Sequence, residues 1–181
     1  MARRLSHGRT KVTILVDEPD NPRRPSASEL NDGHDASCDL RMNGFNFSAQ
    51  ASETADTTKL CNRATATTPT QRQHIGEAVV ERGFDSDGEF DDEGSDETAQ
   101  IVLDNIDANV WVYVRENGKW STEEWDSGDE YRIGGEWTVD VPERGELDDN
   151  IKFTARFLPQ DVHDYGRVSG SSNGGGGGGD D

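Results

Sequence analysis

The sequence has few lysines, few basic residues in comparison with acidic ones, and few apolar residues. Of its 181 residues, 37 are Asp or Glu and 18 are Lys or Arg, which gives a net charge of −19. A lysine-poor, acidic surface is typical of proteins that stay soluble in concentrated salt. The alternative is an acidic docking surface for a basic partner. The four lysines are Lys11, Lys59, Lys119 and Lys152.

Long hydrophobic segments are also missing. The apolar run at residues 12–16 is too short for a signal-peptide core or a membrane-spanning helix, so we expect neither export nor a membrane partner. Only 30% of the residues are apolar, a fraction that approaches the disordered class. They cluster at residues 110–114 and 151–158, however, as a compact β core requires. The length then predicts one folded domain.

The two cysteines, Cys38 and Cys61, provide little evidence for a disulfide or a metal site. Their separation permits a disulfide without requiring one, and a protein made in the cytoplasm normally keeps both as thiols. We expect both to be small buried apolar residues. His34 shares a segment with Cys38, but two ligands are a weak zinc signal without close Cys or His pairs.

The stretch from Asp85 to Glu97 concentrates carboxylates that could bind Ca²⁺ or Mg²⁺. The EF-hand template fails there, because Phe90 stands where glycine is required and Asp96 where glutamate is required. We therefore predict a solvated linker, with weak cation association as the alternative. The residues concerned are Asp85, Asp87, Glu89, Asp91 and Asp92.

Catalytic motifs are absent or accidental. Gly170, Ser172 and Gly174 spell GxSxG, but they lie in a Gly/Ser-rich tail with no strand before them and no helix after them. No P-loop and no HExxH occurs. The sequence predicts no enzyme, no catalytic residue and no cofactor.

Composition divides the chain into three parts. Residues 1–10 form a basic arm, residues 11–168 the folded body, and residues 169–181 a tail with six consecutive glycines. Such a glycine run loses too much backbone entropy on ordering to hold structure by itself. The arm could reach an acidic neighbour in an assembly, or be a solvated terminus.

Periodicity predicts one helix and several strands. Ala99, Val102, Leu103 and Ile106 recur at helical spacing after the N-cap types Ser95 and Asp96, which indicates a helix at about residues 96–107 packed on a sheet. Residues 11–16 and 73–82 are predicted strands. In residues 151–157 apolar and polar side chains alternate, as in a half-buried antiparallel strand.

Two turns are predicted between further strands. Asn117-Gly118 is typical of a tight hairpin, with Glu116 and Lys119 as a cross-strand pair. Gly134-Gly135 is the second turn. Residues 42–73 are predicted to be a long polar loop. The fold class is mainly β, a two-sheet antiparallel β-sandwich or open barrel with one flanking α-helix.

This order of elements resembles the major tail tube proteins of long-tailed viruses. The resemblance covers residues 12–167 and depends on arrangement alone: an early strand, a long polar loop, a strand, a single helix and then hairpin strands. Together with the acidic, lysine-poor composition, this resemblance suggests a virion protein of a virus that infects a halophilic archaeon. No short motif specific to the family is present.

The resemblance implies subunits that form rings, usually of six, stacked into a hollow tube through which viral DNA leaves. It implies other partners: the tape-measure protein and DNA inside the lumen, without sequence-specific binding, and the tail terminator and baseplate proteins. The location would be the virion tail, after assembly in the host cytoplasm.

Residue roles follow from the same resemblance. The family places a long extension between early strands that crosses to neighbouring subunits, which here is the segment 42–73. Glu77 and Glu81 are candidates to face the lumen, where few cations should be available to hold phosphates. The subunit-interface candidates are Gly44, Phe45, Phe47, Leu60, Cys61, Thr67 and Arg72.

Two alternatives remain open. The four tryptophans could be stacking platforms of a β-sandwich carbohydrate-binding module. Alternation in the strand around Trp111 and Tyr113 favours burial on both faces instead. The chain could also be another virion part, a tail terminator or a head decoration protein.

Overall fold

The computed structural model describes residues 7–61, 63–91, 94–145 and 150–170. The glycine-rich tail from residue 171 and the first six residues of the basic arm lie outside this description. In chain order the elements are β1 (Thr10–Leu15), α1 (Ala27–Asp32), β2 (His34–Asp35), a 3₁₀ helix (Ala36–Cys38), β3 (Leu40–Asp56), β4 (Thr67–Glu81), α2 (Glu97–Asp104), β5 (Asn109–Glu116), β6 (Glu130–Val139), β7 (Glu143–Arg144) and β8 (Lys152–Arg167).

The strands form one open antiparallel sheet in the order β2-β1-β5-β6-β8-β4-β3, and β7 also pairs with β8. The predicted mainly β class is confirmed. The strands follow a single hydrogen-bonded path, so the open arrangement replaces two separate sheets. Val12 of β1, the second strand at one end of this path, and Phe47 of β3, the last strand at the other end, belong to the same buried cluster. The sheet therefore curls until its two ends share one core.

The main core lies inside this curled sheet, and α2 packs against it. Ala99 and Val102 of the predicted helical stripe are buried there, and Leu103 packs against the cluster. Ile106 falls beyond the end of the helix, where it forms a bridge with Val139. Packing of an apolar stripe is what stabilises so short a helix.

A second apolar cluster covers the opposite face of β5 and β6. It contains Tyr113, Tyr131, Trp125 and Leu30 of α1. The hydroxyls of Tyr113 and Tyr131 donate to the carbonyls of Pro22 (2.7 Å) and Arg23 (2.8 Å). Burial raises the pKa of Tyr131 to about 12. The central strands are thus buried on both faces, as the alternation around Trp111 predicted.

The predicted turn at Asn117-Gly118 is wrong, because β5 and β6 are joined by the longer connection 117–129. The reason is Arg115, whose side chain is fully buried at the end of β5. Its guanidinium donates to the carbonyls of Trp120 (2.9 Å) and Glu123 (2.8 Å) and lies 3.2 Å from the Asp129 carboxylate. A buried cation needs such acceptors, so the connection folds around it. Lys119 pairs with Asp126 and Asp129, and not with Glu116.

The predicted turn at Gly134-Gly135 is also wrong, because β6 runs straight through both residues. The glycines permit close approach. A Cβ on Gly134 would lie 2.4 Å from Cδ1 of Tyr113, and one on Gly135 (φ +137°) would lie 2.1 Å from the Asp161 carbonyl oxygen. Gly-Gly is typical of turns, but here close packing against the neighbouring strands requires glycine at both positions.

The predicted loop at residues 42–73 is mostly strand. β3 and β4 pair in antiparallel register from Leu40↔Val80 to Asp56↔Thr67, with irregularities near residues 41–46 and 50–54. Only residues 57–66 connect the two arms. The many threonines of this segment have high strand propensity, and two such runs joined by a short connection can pair with each other. The predicted strand 73–82 is the end of β4.

Candidate assembly surfaces

The β3–β4 hairpin projects from the body. β4 pairs with β8 only from Gly76↔Phe157 to Glu81↔Lys152, so beyond Gly76 the two arms continue without a third strand. We call residues 48–75 the projecting hairpin. None of its described residues is buried. A two-stranded ribbon exposed on both faces is marginally stable alone in water.

The base of the projecting hairpin is attached to the body by polar contacts. His74 Nε2 lies 3.0 Å from Oδ2 of Asp164 in β8. Nη1 of Arg132 in β6 donates to the carbonyl of Phe47 at 2.6 Å. Both bonds lie next to the point where the third strand ends, so they fix the direction in which the hairpin leaves the body.

The projecting hairpin differs in charge from the rest of the chain. It contains two acidic residues, Glu53 and Asp56, and three basic residues, Lys59, Arg63 and Arg72, so its net charge is +1 in a chain of −19. Its threonine hydroxyls bond within the hairpin: those of Thr57 and Thr58 each donate to the carbonyl of Ala66 at 3.3 Å. This exposed segment therefore lacks the acidic coat.

The seven interface candidates fall into two groups. Phe47 is a core residue, with its ring centroid 5.2 Å from those of both Trp137 and Phe157, and Phe45 is half-buried beside it. Gly44 (φ +94°) lies in the irregular part of β3, where a Cβ would meet Val79 at 2.6 Å. These three secure the hairpin base within the subunit. The candidates exposed on the projecting hairpin are Leu60, Cys61, Thr67 and Arg72.

Both cysteines are thiols, and both are exposed. The expectation that they are small buried residues is wrong. Cys61 lies in the connection of the projecting hairpin, and Cys38 ends the 3₁₀ helix that precedes β3. Both positions are outside the two apolar clusters, which the aromatic and branched side chains fill.

The two lumen candidates lie on β4 with their side chains away from the core. Ala78 and Val80, which alternate with them, are buried. Glu81 forms an ion pair with Arg41 of β3. Glu77 is directly opposite Arg156 of β8, and Arg156 pairs with Glu143 at 2.7 Å. Both arginines of this face are therefore already held by carboxylates.

The acidic stretch uses its carboxylates to hold turns. Oδ1 of Asp85 accepts from the backbone N–H groups of Asp87 (2.8 Å) and Glu89 (3.0 Å). Oδ2 of Asp91 accepts from the N–H (2.9 Å) and hydroxyl (3.1 Å) of Ser95. Asp92 lies outside the described residues. Among the residues that the structure does describe, no three His, Cys, Asp or Glu side chains converge as metal ligands.

A buried ion pair between Arg82 and Asp96, which the sequence did not predict, joins the two ends of this stretch. Asp96 is fully buried, and its carboxylate accepts from Nε and Nη2 of Arg82, both at 2.7 Å, from the Gly83 N–H and from Gln100. Burial acts to raise the pKa of Asp96, but these hydrogen bonds outweigh it, so the pKa lies below its usual range. A good N-cap residue type was the only signal in the sequence, and it did not predict this pairing.

A family model described as phage tail tube protein matches residues 1–170. The chain belongs to this family. No curated protein matches it. Membership supports a structural component of the virion tail that assembles with itself and with other tail components, and a non-enzymatic role.

For a phage tail tube protein, the placement of the tryptophans is informative. Trp125 and Trp137 are buried and Trp111 is half-buried. Trp120 is exposed, but the guanidinium of Arg9 lies 3.9 Å from its ring centroid. Stacking platforms for sugars require exposed aromatic faces, so the tryptophans do not favour the carbohydrate-binding alternative. Neither helix in the described ranges is long and apolar enough to span a membrane.

Proposed function

We propose that this tail tube protein forms rings of six subunits that stack into a hollow tube, through which viral DNA passes. The main support for this proposal is the exposure of the projecting hairpin on both faces. A ribbon with both faces exposed gains stability when a neighbour covers it. Its charge of +1 suits burial against the acidic body of another subunit, since like-charge repulsion is then absent.

The open sheet supports the same assembly. β3 is the last strand of the hydrogen-bonded path, so one of its edges has no strand partner among the described residues. A 17-residue edge strand is an aggregation hazard in an isolated protein and is removed when neighbouring subunits pair along it. Head-to-tail contacts that close give rings, and repeated stacking gives a filament.

The face that carries Glu77 and Glu81 suits the lumen. On this face Arg41 and Arg156 are paired with Glu81 and Glu143, and a third cation, Lys152, lies directly opposite Glu81, so carboxylates offset the positive charge that phosphates would meet. DNA binding gains affinity from counterion release at cationic groups, so such a wall would let DNA and the tape-measure protein pass. The tail terminator and baseplate proteins would cover the two ends of the tube.

The host and site of assembly are part of the proposal. The net charge of −19 with only four lysines suits a virus of a halophilic archaeon, with assembly in the host cytoplasm and a final location in the virion tail.

Assembly can be tested with purified protein in molar KCl. Negative-stain microscopy should show six-fold rings and stacked tubes, and sedimentation should show large species. Monomers at high concentration across the salt range would overturn the proposal. Single rings that never stack would instead indicate a tail terminator.

A further inference from the structure

A groove lies between the end of β1 and helix α1. Its volume is about 380 Å³. Its floor is apolar, and Val16 at its edge remains 47% exposed. Among the residues that line it are Ile14, Leu15, Val16, Asp17, Glu18 and Asp32.

Three exposed carboxylates form the rim of this groove. Asp17 and Glu18 have no hydrogen bond or ion pair with any residue that the structure describes, and Asp32 accepts only from the Ser28 hydroxyl at 3.4 Å. Glu29, a fourth carboxylate nearby, is already used in the capping box with Ser26. The groove thus combines an apolar floor with uncompensated negative charge.

The basic arm carries the complementary chemistry. Arg3, Arg4 and Leu5 place two cations beside one apolar side chain. We propose that the groove binds this part of the arm from a second copy of the chain, with Leu5 on the apolar floor and the two arginines at the acidic rim. This inference rests on the proposed stacking function, and it names the two surfaces that meet.

The reach of the chain excludes docking of Leu5 in the groove of the same subunit. The backbone N–H of Ser121 donates to the Gly8 carbonyl at 2.8 Å, so Gly8 is held beyond the Thr10 end of β1. The groove is at the Leu15 end, about 17 Å further along the strand. Leu5 lies two residues before His7 and can extend at most about 7 Å from it. A copy stacked in the direction of β1 would receive the arm, which is a head-to-tail contact that continues into a filament.

Charge exchange tests the contact. Asp17→Lys with Glu18→Lys should raise the protein concentration needed for tube formation about fivefold, the effect of losing two exposed ion pairs. Adding Arg3→Glu and Arg4→Glu to that variant should restore assembly. The matched control is Asp87→Lys with Glu89→Lys, which makes the same charge change on the acidic stretch. The assays use the lowest salt concentration at which the wild type assembles, because screening weakens exposed pairs.

Cross-linking tests the direction of the contact. In a variant with Cys38→Ser and Cys61→Ser, the substitutions Leu5→Cys and Val16→Cys in one chain should give a ladder of covalent oligomers on oxidation. A link within one chain, or no link in assembled tubes, overturns the inference. So does a charge-exchange variant that is not rescued. If the wild type forms no assemblies at all, the proposed function itself fails.

Discussion

At the scale of single residues, buried ion pairs decide the course of the connecting segments. Asp96 and Arg82 form a two-pronged ion pair, and the guanidinium of Arg82 lies 3.8 Å from the centroid of the Phe90 ring. Together they close the acidic stretch and fix the start of α2. Removal of one partner of a buried ion pair leaves the other charge uncompensated. The resulting loss of folding free energy is larger than the net stabilisation that the intact pair provides.

Asp96→Asn should therefore lower the free energy of unfolding by about 2 to 3 kcal/mol at neutral pH. The pKa of Asp96 is lowered in the folded state, so its stabilising contribution is present above the usual aspartate range and is lost as the pH falls through the folded pKa. The difference between variant and wild type should shrink towards about pH 3. Urea unfolding at both pH values measures it.

The control for this prediction is Asp87→Asn, which removes an exposed carboxylate from the same stretch. Its stability should stay within about 0.5 kcal/mol of the wild type. A loss equal to that of the Asp96 variant would show that general charge, and not the buried pair, is responsible.

At the scale of elements, the hairpin divides into a part that belongs to the core and a part that does not. Phe47 packs against Trp137 and Phe157, whereas no described residue from 48 to 75 is buried. The base is thus necessary for the fold of the subunit. The projecting hairpin is available for contact with another subunit.

Excision of residues 51–72 separates these two roles. Gln50 and Gln73 are directly paired, so Asn-Gly inserted between them can close a two-residue hairpin turn. The shortened chain should keep the melting temperature of the wild-type monomer within a few degrees, because no buried side chain is lost. It should not form tubes.

Sedimentation and thermal unfolding in parallel test this prediction. A variant that replaces only the connection 57–66 with a glycine-serine loop of equal length is the matched control, and it keeps the paired arms. Tubes formed by the excised chain would show that the hairpin is not an assembly element.

At the scale of the whole molecule, charge governs how conditions affect folding and association. A net charge of −19 on 181 residues produces self-repulsion that destabilises the compact state. Salt shortens the screening length from about 10 Å at 0.1 M to about 3 Å at 1 M. Both the folded monomer and any assembly should therefore gain stability as salt is added.

The melting temperature should rise by about 5 to 10 °C between 0.1 M and 2 M KCl, equivalent to a few kcal/mol for a chain of this size. A variant with Asp87→Asn, Glu89→Gln and Glu130→Gln has three fewer exposed charges and should show a smaller rise. Calorimetry on both proteins measures the difference. Equal salt responses would indicate that salt acts through hydrophobic burial and not through screening.

The sequence by itself determined the features that arise from local pattern. Alternation predicted which faces of β5 and β8 are buried, because side chains on a strand point to opposite faces in turn. The spacing of Ala99, Val102 and Leu103 located α2 for a similar reason. The acidic composition likewise follows from counting, and the order of elements was enough to suggest the family.

Only the tertiary structure decided how these elements meet. The connection 117–129 folds around the buried Arg115 where a tight turn was predicted. Gly134 leaves room for the ring of Tyr113 and does not form a turn. The projecting hairpin and the β1–α1 groove depend on where β8 ends its pairing with β4 and where α1 crosses β1. These are contacts between residues distant in sequence, and a local pattern cannot specify them, because the same strand propensity suits a paired arm, an edge or an extended loop.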